Sequence, residues 1–326
     1  FLDIWFKHKI TCNQFLLKLN YKNLYIFPNF FFEGAYFLIK FFNLKKFNPE
    51  RLNPDADINY VLGDSESKIK IDINNFENIN REKLYKYGLK PNQKIVLLHL
   101  RDAAYRGFSD FTDFRNIYHK QNYIETIKFL TNNNYFVIRV GRAAENKFNL
   151  EKNFFDYAFS EIKSDQMDLF LAKYCYFCIS TCSGFAGLVR SFRNPVLLTN
   201  YIPHGHYDSY VKKNLTIFKH IISDDGKKMS LREILNSGLI NSWDGREFKN
   251  QKILFQENSS EEILNASKDM IEYIENNFEF KNYKYREKIF SFFNEKIYEK
   301  YGYTVHKKIN SLICPSFIET NSYLFK

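Results

Sequence analysis

Lys94-Ile-Val-Leu-Leu-His-Leu-Arg-Asp102 carries four consecutive branched apolar residues, Ile95–Leu98, with no polar face between them. Such a run marks a strand covered on both sides, as in a parallel sheet. It follows Tyr87-Gly-Leu-Lys-Pro-Asn-Gln-Lys94, where Gly88 and Pro91 break a polar stretch and set a domain boundary. The same pattern returns in Tyr135-Phe-Val-Ile-Arg-Val140, Tyr176-Phe-Cys-Ile-Ser-Thr181 and Pro195-Val-Leu-Leu-Thr-Asn200. Between these runs lie apolar stripes at helical spacing. One is Tyr123, Ile124, Ile127 and Leu130; another is Met167, Phe170, Leu171 and Tyr174 behind an N-cap at Ser164; a third is Phe185, Leu188, Val189 and Phe192. Alternating strands and helices predict an α/β fold with one parallel sheet over residues 91–225. A ligand of such a sheet sits beyond the carboxyl ends of its strands. The places to search therefore follow Leu100, Val140, Thr181 and Asn200.

Working outward, residues 1–90 offer a strand at Leu24–Phe27, the aromatic stretch Phe30–Phe42 and a strand at Tyr60–Leu62. The aromatic stretch is shorter than the ~20 apolar residues a bilayer requires. It reads as a core helix in preference to a membrane-surface one. These elements are too few for a lobe, so an incomplete N-terminal lobe is expected over 1–90. Toward the C-terminus, Ser230-Leu-Arg-Glu233 and Ser259-Ser-Glu-Glu262 are capping boxes, and the second opens a long helix. Residues 91–280 then make a Rossmann-like lobe. The amphipathic segment Tyr285–Tyr301 and the tail, residues 281–326, are expected to pack back on the first lobe.

The 326 residues carry a net charge of +10, with 45% hydrophobic and 18% aromatic residues. This composition excludes a disordered chain. The basic balance favours acidic partners such as a nucleotide diphosphate or an anionic membrane face. Lys and Arg are scattered and not clustered with stacking aromatics, which argues against a nucleic-acid binder. Five widely spread cysteines do not form a disulfide framework, and a cytoplasmic protein is expected. Cys175-Tyr-Phe-Cys178 has zinc or redox spacing, but it lies inside a strand pattern with no second pair.

The strand ends concentrate the chemistry. His99 and Arg101 alternate onto one face, and an Arg there can fork onto a diphosphate. Asp102 beside it is a candidate base or a partner for that Arg, and His99 is a second candidate base. Arg139 lies in an apolar strand, where burial demands a partner: a protein carboxylate, the favoured reading, or a ligand phosphate. Gly141 allows a tight turn or close approach. Ser180-Thr181-Cys182-Ser183-Gly184 sets small hydroxyl residues and a Gly directly before a helix, an arrangement suited to anions. Tyr105, Arg115 and Asn200 lie in loops or at strand ends on the same edge. His204-Gly-His206 lacks a third ligand for a metal. Asp55-Ala-Asp57 follows Leu-Asn-Pro and not a strand, so no metal site is expected there.

Leu98-His-Leu-Arg-Asp-Ala-Ala-Tyr105, Asp113-Phe-Arg-Asn116, Val137-Ile-Arg-Val-Gly141, Asp165–Leu171, Ile179–Gly184, Pro195–Asn200 and Cys314–Asn321 stand in an ordered set. Together they resemble a largely uncharacterised family of bacterial glycosyltransferases encoded with surface-polysaccharide genes. More distantly, His99-x-Arg101 with a later Ser/Thr strand end is similar to GDP-fucose-dependent fucosyltransferases; the Gly-Asp usual after that Arg is absent. The resemblance implies a two-lobed, GT-B-like transferase, metal-independent, moving a hexosyl or deoxyhexosyl group. Its donor would be a nucleotide-diphosphate sugar, and its acceptor a saccharide or lipid-linked saccharide in O-antigen or capsule synthesis. Arg101 would meet the diphosphate; Tyr105, Arg115, Arg139, Gly141, Ser180, Thr181, Ser183, Gly184 and Asn200 would complete the donor site. No further cofactor is implied, and contact with the inner membrane face would be peripheral. The rivals are a polysaccharide pyruvyltransferase on the same scaffold and a basic nucleic-acid-binding protein.

Overall fold

The computed structural model describes residues 4–7, 25–28, 34, 37–38, 41–42, 74–105, 107–150, 152–207, 211–301 and 311–326. Strands β1 (Ile4–Lys7) and β2 (Tyr25–Pro28) pair in parallel. The second lies within a residue of the strand expected at Leu24–Phe27. Of the aromatic stretch, the described residues Phe37, Leu38, Phe41 and Phe42 are exposed, against the expectation of a core element. The expected strand at Tyr60–Leu62 and the Asp55–Asp57 pair lie outside the described residues.

The ordered lobe begins earlier than Pro91. Helix α1 (Asn74–Tyr85) buries Leu84 and Asn80 completely. Glu77 of α1 accepts a hydrogen bond from Tyr174 and pairs with Arg81 at 3.1 Å. The polar break at Gly88–Pro91 is therefore a turn between this helix and the first sheet strand, and the boundary expected at residue 91 moves upstream. Strand β3 (Ile95–His99) is buried along Ile95–Leu98, as its unbroken apolar run requires. It is followed by α2 (Ile124–Asn132), β4 (Phe136–Val140), β5 (Phe154–Asp156), α3 (Asp165–Tyr174), β6 (Phe177–Ser180), α4 (Gly184–Ser191) and β7 (Val196–Tyr201). Ser164 caps α3 by accepting from Met167 N at 3.2 Å. Then come β8 (Leu215–Phe218), β9 (His220–Ile222), α5 (Leu231–Asn236), α6 (Gly245–Asn250), β10 (Leu254–Gln256) and α7 (Ser260–Glu275). Both expected capping boxes form, at Ser230/Glu233 and Ser259/Glu262.

With β11 (Leu312–Ile313) from the tail, seven strands make one parallel sheet in the order β11-β8-β7-β6-β3-β4-β5. The chain enters at β3, runs outward through β4 and β5, then crosses to β6 on the other side of β3. The winding direction therefore reverses between β3 and β6. This is the strand order of a doubly wound, Rossmann-like sheet with one strand added. Val96, Leu97, Phe177, Cys178, Val196 and Leu197 fill its centre and are wholly buried. Each large apolar side chain so buried contributes ~1.5–3 kcal/mol. Cys175 and Cys178 belong to this packing, and burial pushes the Cys175 thiol up to about 12.

The tail adds a strand to the sheet. After α8 (Arg286–Phe290), a π-helical turn at Ser291–Lys296 and α9 (Ile297–Tyr301), strand β11 (Leu312–Ile313) pairs in parallel with β8. Helix α10 (Pro315–Thr320) then packs against α7, where Asp269 accepts from Ser316 N at 3.1 Å and Ser316 Oγ at 2.6 Å. The described part of 281–326 thus completes the sheet lobe. No helix among the described residues is long and apolar enough to cross a membrane.

Candidate functional site

The crevice sought at the strand ends lies where the winding reverses. In register, His99 of β3 stands opposite Ser180 of β6. Beyond the ladder the two chains remain joined: Thr181 N donates to His99 O at 3.1 Å, and Arg101 N donates to Thr181 Oγ1 at 2.9 Å. His99–Asp102 and Ser180–Gly184 are therefore adjacent on one edge, as the strand pattern predicts.

Each small residue of the β6–α4 turn has a defined part. Ser180 is fully buried and bonds Thr181 O at 2.8 Å and Ser183 Oγ at 3.3 Å. Ser183 is the N-cap of α4, in extended backbone, accepting from Ala186 N. A side chain at Gly184 would meet nothing within 4 Å, so the space before the helix is open. The first-turn N–H groups of a helix lack intrahelical acceptors and carry the positive end of its dipole. The turn thus offers electropositive N–H groups beside open space.

Arg101, just beyond β3, is tied to this turn through its backbone N–H. Its Nε donates to Asn116 Oδ1 at 2.9 Å, Asn116 Nδ2 donates to Asp113 Oδ1 at 3.2 Å, and Asp113 Oδ1 also accepts from Ser109 N at 2.9 Å. Arg101 O in turn accepts from Ile117 N at 2.9 Å. The loop after β3 is therefore folded around Arg101 by side chains and fixes the plane of its guanidinium. Arg115 lies on the same loop, its guanidinium 5.0 Å from the Trp243 ring. Trp243 Nε1 donates to His206 Nε2 at 3.0 Å. Phe108 and Phe111 are exposed on this loop.

Other expected site residues have structural work. Arg139 is 2% exposed; it donates to Asn146 O at 2.6 Å and pairs with Asp156 at 3.4 Å and Asp102 at 3.6 Å. The protein carboxylate, favoured of the two partners its burial demanded, is the one found. Asp102 also accepts from Ala104 N at 3.1 Å and Glu145 N at 3.0 Å. Asp102 therefore ties the β3 and β4 loops together. His99 stacks parallel on Phe185 at 5.5 Å, and burial followed by the Arg139 charge lowers its pKa to about 4. It is neutral at pH 7, and its basicity is weak for a general base. Asn200, expected at the ligand, is buried: its backbone N donates to Asn258 Oδ1 at 2.6 Å, its Oδ1 accepts from Asn258 N at 2.7 Å, and its Nδ2 donates to Tyr123 at 3.0 Å. That closed set pins the start of α7 to β7. Gly141 turns the chain after β4 with φ of 155°. The Tyr105 side chain lies outside the described residues.

No group of three or more His, Cys, Asp or Glu side chains among the described residues could hold a metal. His204 and His206 are buried, and burial lowers their pKa values to about 3 and about 4. His204 stacks on Phe218 at 4.6 Å. A shallow cavity of about 300 Å³ lies elsewhere, between α6 and β10, lined by Asp224, Lys249, Lys252, Leu254 and Phe255. None of the β3 or β6 strand-end residues lines it.

Two contributors were not legible in the sequence. Asn116 orients Arg101, and nothing in an isolated Asn signals that. Lys219 is buried between β8 and β9, and its Nζ donates to Phe114 O at 3.0 Å and Asn116 O at 2.7 Å. Its signal was a lone Lys directly after Leu215-Thr-Ile-Phe218, an apolar run not read as a strand. In comparisons with known proteins, no family model, no curated protein and no solved structure matches the chain.

Proposed function

We propose that this protein is a glycosyltransferase that takes a sugar from a nucleotide-diphosphate donor held at the β3–β6 crevice. The observation that supports the reading is that Arg101 is joined through its backbone N–H to the turn leading into α4 across the winding reversal, the position where doubly wound sheets bind nucleotides. A bidentate cation and a helix N-terminus on two adjacent strand ends suit a diphosphate better than a neutral ligand.

In this reading the acceptor hydroxyl attacks the anomeric carbon of the donor. The bond from that carbon to the diphosphate oxygen breaks, and the nucleoside diphosphate leaves with the electron pair. Arg101 and the α4 N-terminus stabilise the departing charge, in place of a metal ion. The hydroxyl proton goes to a base other than Asp102, which is committed to Arg139 and two backbone N–H groups. The exposed Phe108 and Phe111 offer apolar faces on which an acceptor ring could lie. The two-lobed arrangement, with the acceptor on the N-terminal side and a role in surface-polysaccharide synthesis at the cytoplasmic membrane face, belongs to the same proposal.

Calorimetric titration with UDP, GDP, dTDP and phosphoenolpyruvate tests it. The expected result is salt-sensitive binding of at least one nucleoside diphosphate in the presence of chelator. Binding of phosphoenolpyruvate alone would favour the pyruvyltransferase instead, and binding of none would remove the proposal.

A further inference from the structure

Lys219 is 2% exposed, yet no carboxylate among the described residues pairs with its ammonium. Burying a cation without a counter-ion is costly, and an apolar side chain would fill the space at less cost. What the ammonium does is hold two consecutive turns of the loop after β3, through Phe114 O and Asn116 O. Asn116 is the residue whose Oδ1 receives Arg101 Nε. Lys219 itself is fixed by its own N–H, which donates to Tyr201 O at 3.2 Å. A continuous path of hydrogen bonds therefore runs from the end of β8, through Asn116, to the guanidinium at the end of β3.

We propose that Lys219 is a positioning residue of the crevice: its ammonium sets the Phe114–Asn116 segment and thereby the plane of Arg101 toward an anionic ligand. The inference rests on the reading of the crevice as a diphosphate site.

The surroundings give the idea a distinctive pH signature. Burial lowers the Lys219 pKa to about 8, with the Glu257 charge opposing it. Glu257 is engaged by Tyr118 N at 2.6 Å and His119 N at 3.2 Å. Arg101 and Asp113 both bond Asn116, whose carbonyl Lys219 holds, and Arg115 adjoins the same segment. His204 is already neutral above about 3, and His220 is turned toward Glu262 and Tyr323. Lys219 is thus the group expected to titrate in this region just above pH 8. Its folded pKa lies below the unfolded 10.5, so the unfolded chain binds more protons between these values, and its contribution to stability rises with pH there. Its grip on the two carbonyls weakens over the same window, because a neutral donor bonds less strongly than a charged one. Stability and ligand affinity should therefore move in opposite directions, which a merely structural lysine would not produce.

The test is titration with UDP, GDP and inorganic pyrophosphate from pH 7 to 10, alongside thermal melts, on wild type, Lys219→Met and Lys219→Arg. Using one ligand across variants cancels the ligand's own titration. Wild-type affinity should fall by ~tenfold above pH 8. Lys219→Arg should hold its affinity to pH 10, and Lys219→Met should be weak and flat. If Lys219→Met does not fold, the Arg variant alone carries the comparison. An alkaline limb identical in wild type and Lys219→Arg, or wild-type affinity in folded Lys219→Met, overturns the inference. Pyrophosphate binding with the expected limb but no nucleotide binding would sink the transferase reading and leave the positioning role standing. If neither pyrophosphate nor nucleotide binds wild type, both fall.

Discussion

Replacing Arg101 by Ala separates its bond to the fold from its proposed contact with a diphosphate, because the two differ in magnitude. Its backbone N–H bond to Thr181 survives the change. What the fold loses is the Nε bond to Asn116 Oδ1, leaving that buried acceptor without the guanidinium. One such loss costs about 1 kcal/mol, which lowers the melting temperature by roughly 2–4 °C in a lobe of this size. A bidentate pair of charge-assisted bonds to a diphosphate is a larger quantity. Each contributes about 1.5–3 kcal/mol, so nucleoside diphosphate affinity should fall ~10²–10⁴-fold, with transfer falling ~10²–10³-fold. Arg101→Lys should recover little of either, since an ammonium cannot reproduce the planar fork. Calorimetry and turnover on variants with a verified melt measure both quantities. A folded Arg101→Ala protein that binds and turns over like wild type would refute the assignment of this crevice.

The other expectations concern the frame around it. Arg139→Met should cost about 3–5 kcal/mol by leaving Asp156 buried without its cation, seen as a large drop in the denaturant midpoint; a loss below about 1 kcal/mol would contradict the buried pairing. Ser183→Ala removes the α4 cap and should cost about 0.5–2 kcal/mol while weakening anion binding; calorimetry showing binding unchanged would place the ligand elsewhere. At Glu262, burial works to raise the pKa, but the His220 hydrogen bond and charge, with Ser259 N and Asn321, bring it down to about 2. Its stabilising contribution is therefore fully present above the unfolded 4.5 and lost as pH falls toward about 2; Glu262→Gln should flatten acid denaturation in that window. Transfer should persist in EDTA, and activity abolished by chelator and restored by Mg²⁺ or Mn²⁺ would argue against metal-free departure of the diphosphate.

The strands β3, β4, β6 and β7 were legible because Ile95–Leu98 and its counterparts have no polar face, a pattern few other elements produce. The helices between them were legible from caps and stripes, and the edge on which the crevice lies followed from topology. The short strands β5 and β11 were not: Phe154–Asp156 and Leu312–Ile313 are too brief for any periodicity to show. Leu215–Phe218 is a sheet strand that the sequence reading passed over. The positions of Arg101, Ser183 and Gly184 followed from the strand ends. The fates of Asp102 and Asn200 did not, because a polar residue at a strand end looks the same whether it meets a ligand or a distant backbone. Asp102 is claimed by Glu145 N, and Asn200 by Asn258; both partners lie far along the chain and only folding brings them near.

The pairing of β11 with β8 has a consequence for biosynthesis. Strand β8 is bordered on one side by β7, and its other side remains an open row of hydrogen-bonding groups until residues 312–313 arrive. During synthesis, nearly a hundred residues separate β8 from the segment that covers it, so a nascent chain displays Leu-Thr-Ile-Phe as an uncapped edge. Such an edge invites pairing with neighbouring chains. The short tail strand therefore acts as a late seal, and stalled or clipped chains lacking it should be the aggregating fraction of any preparation.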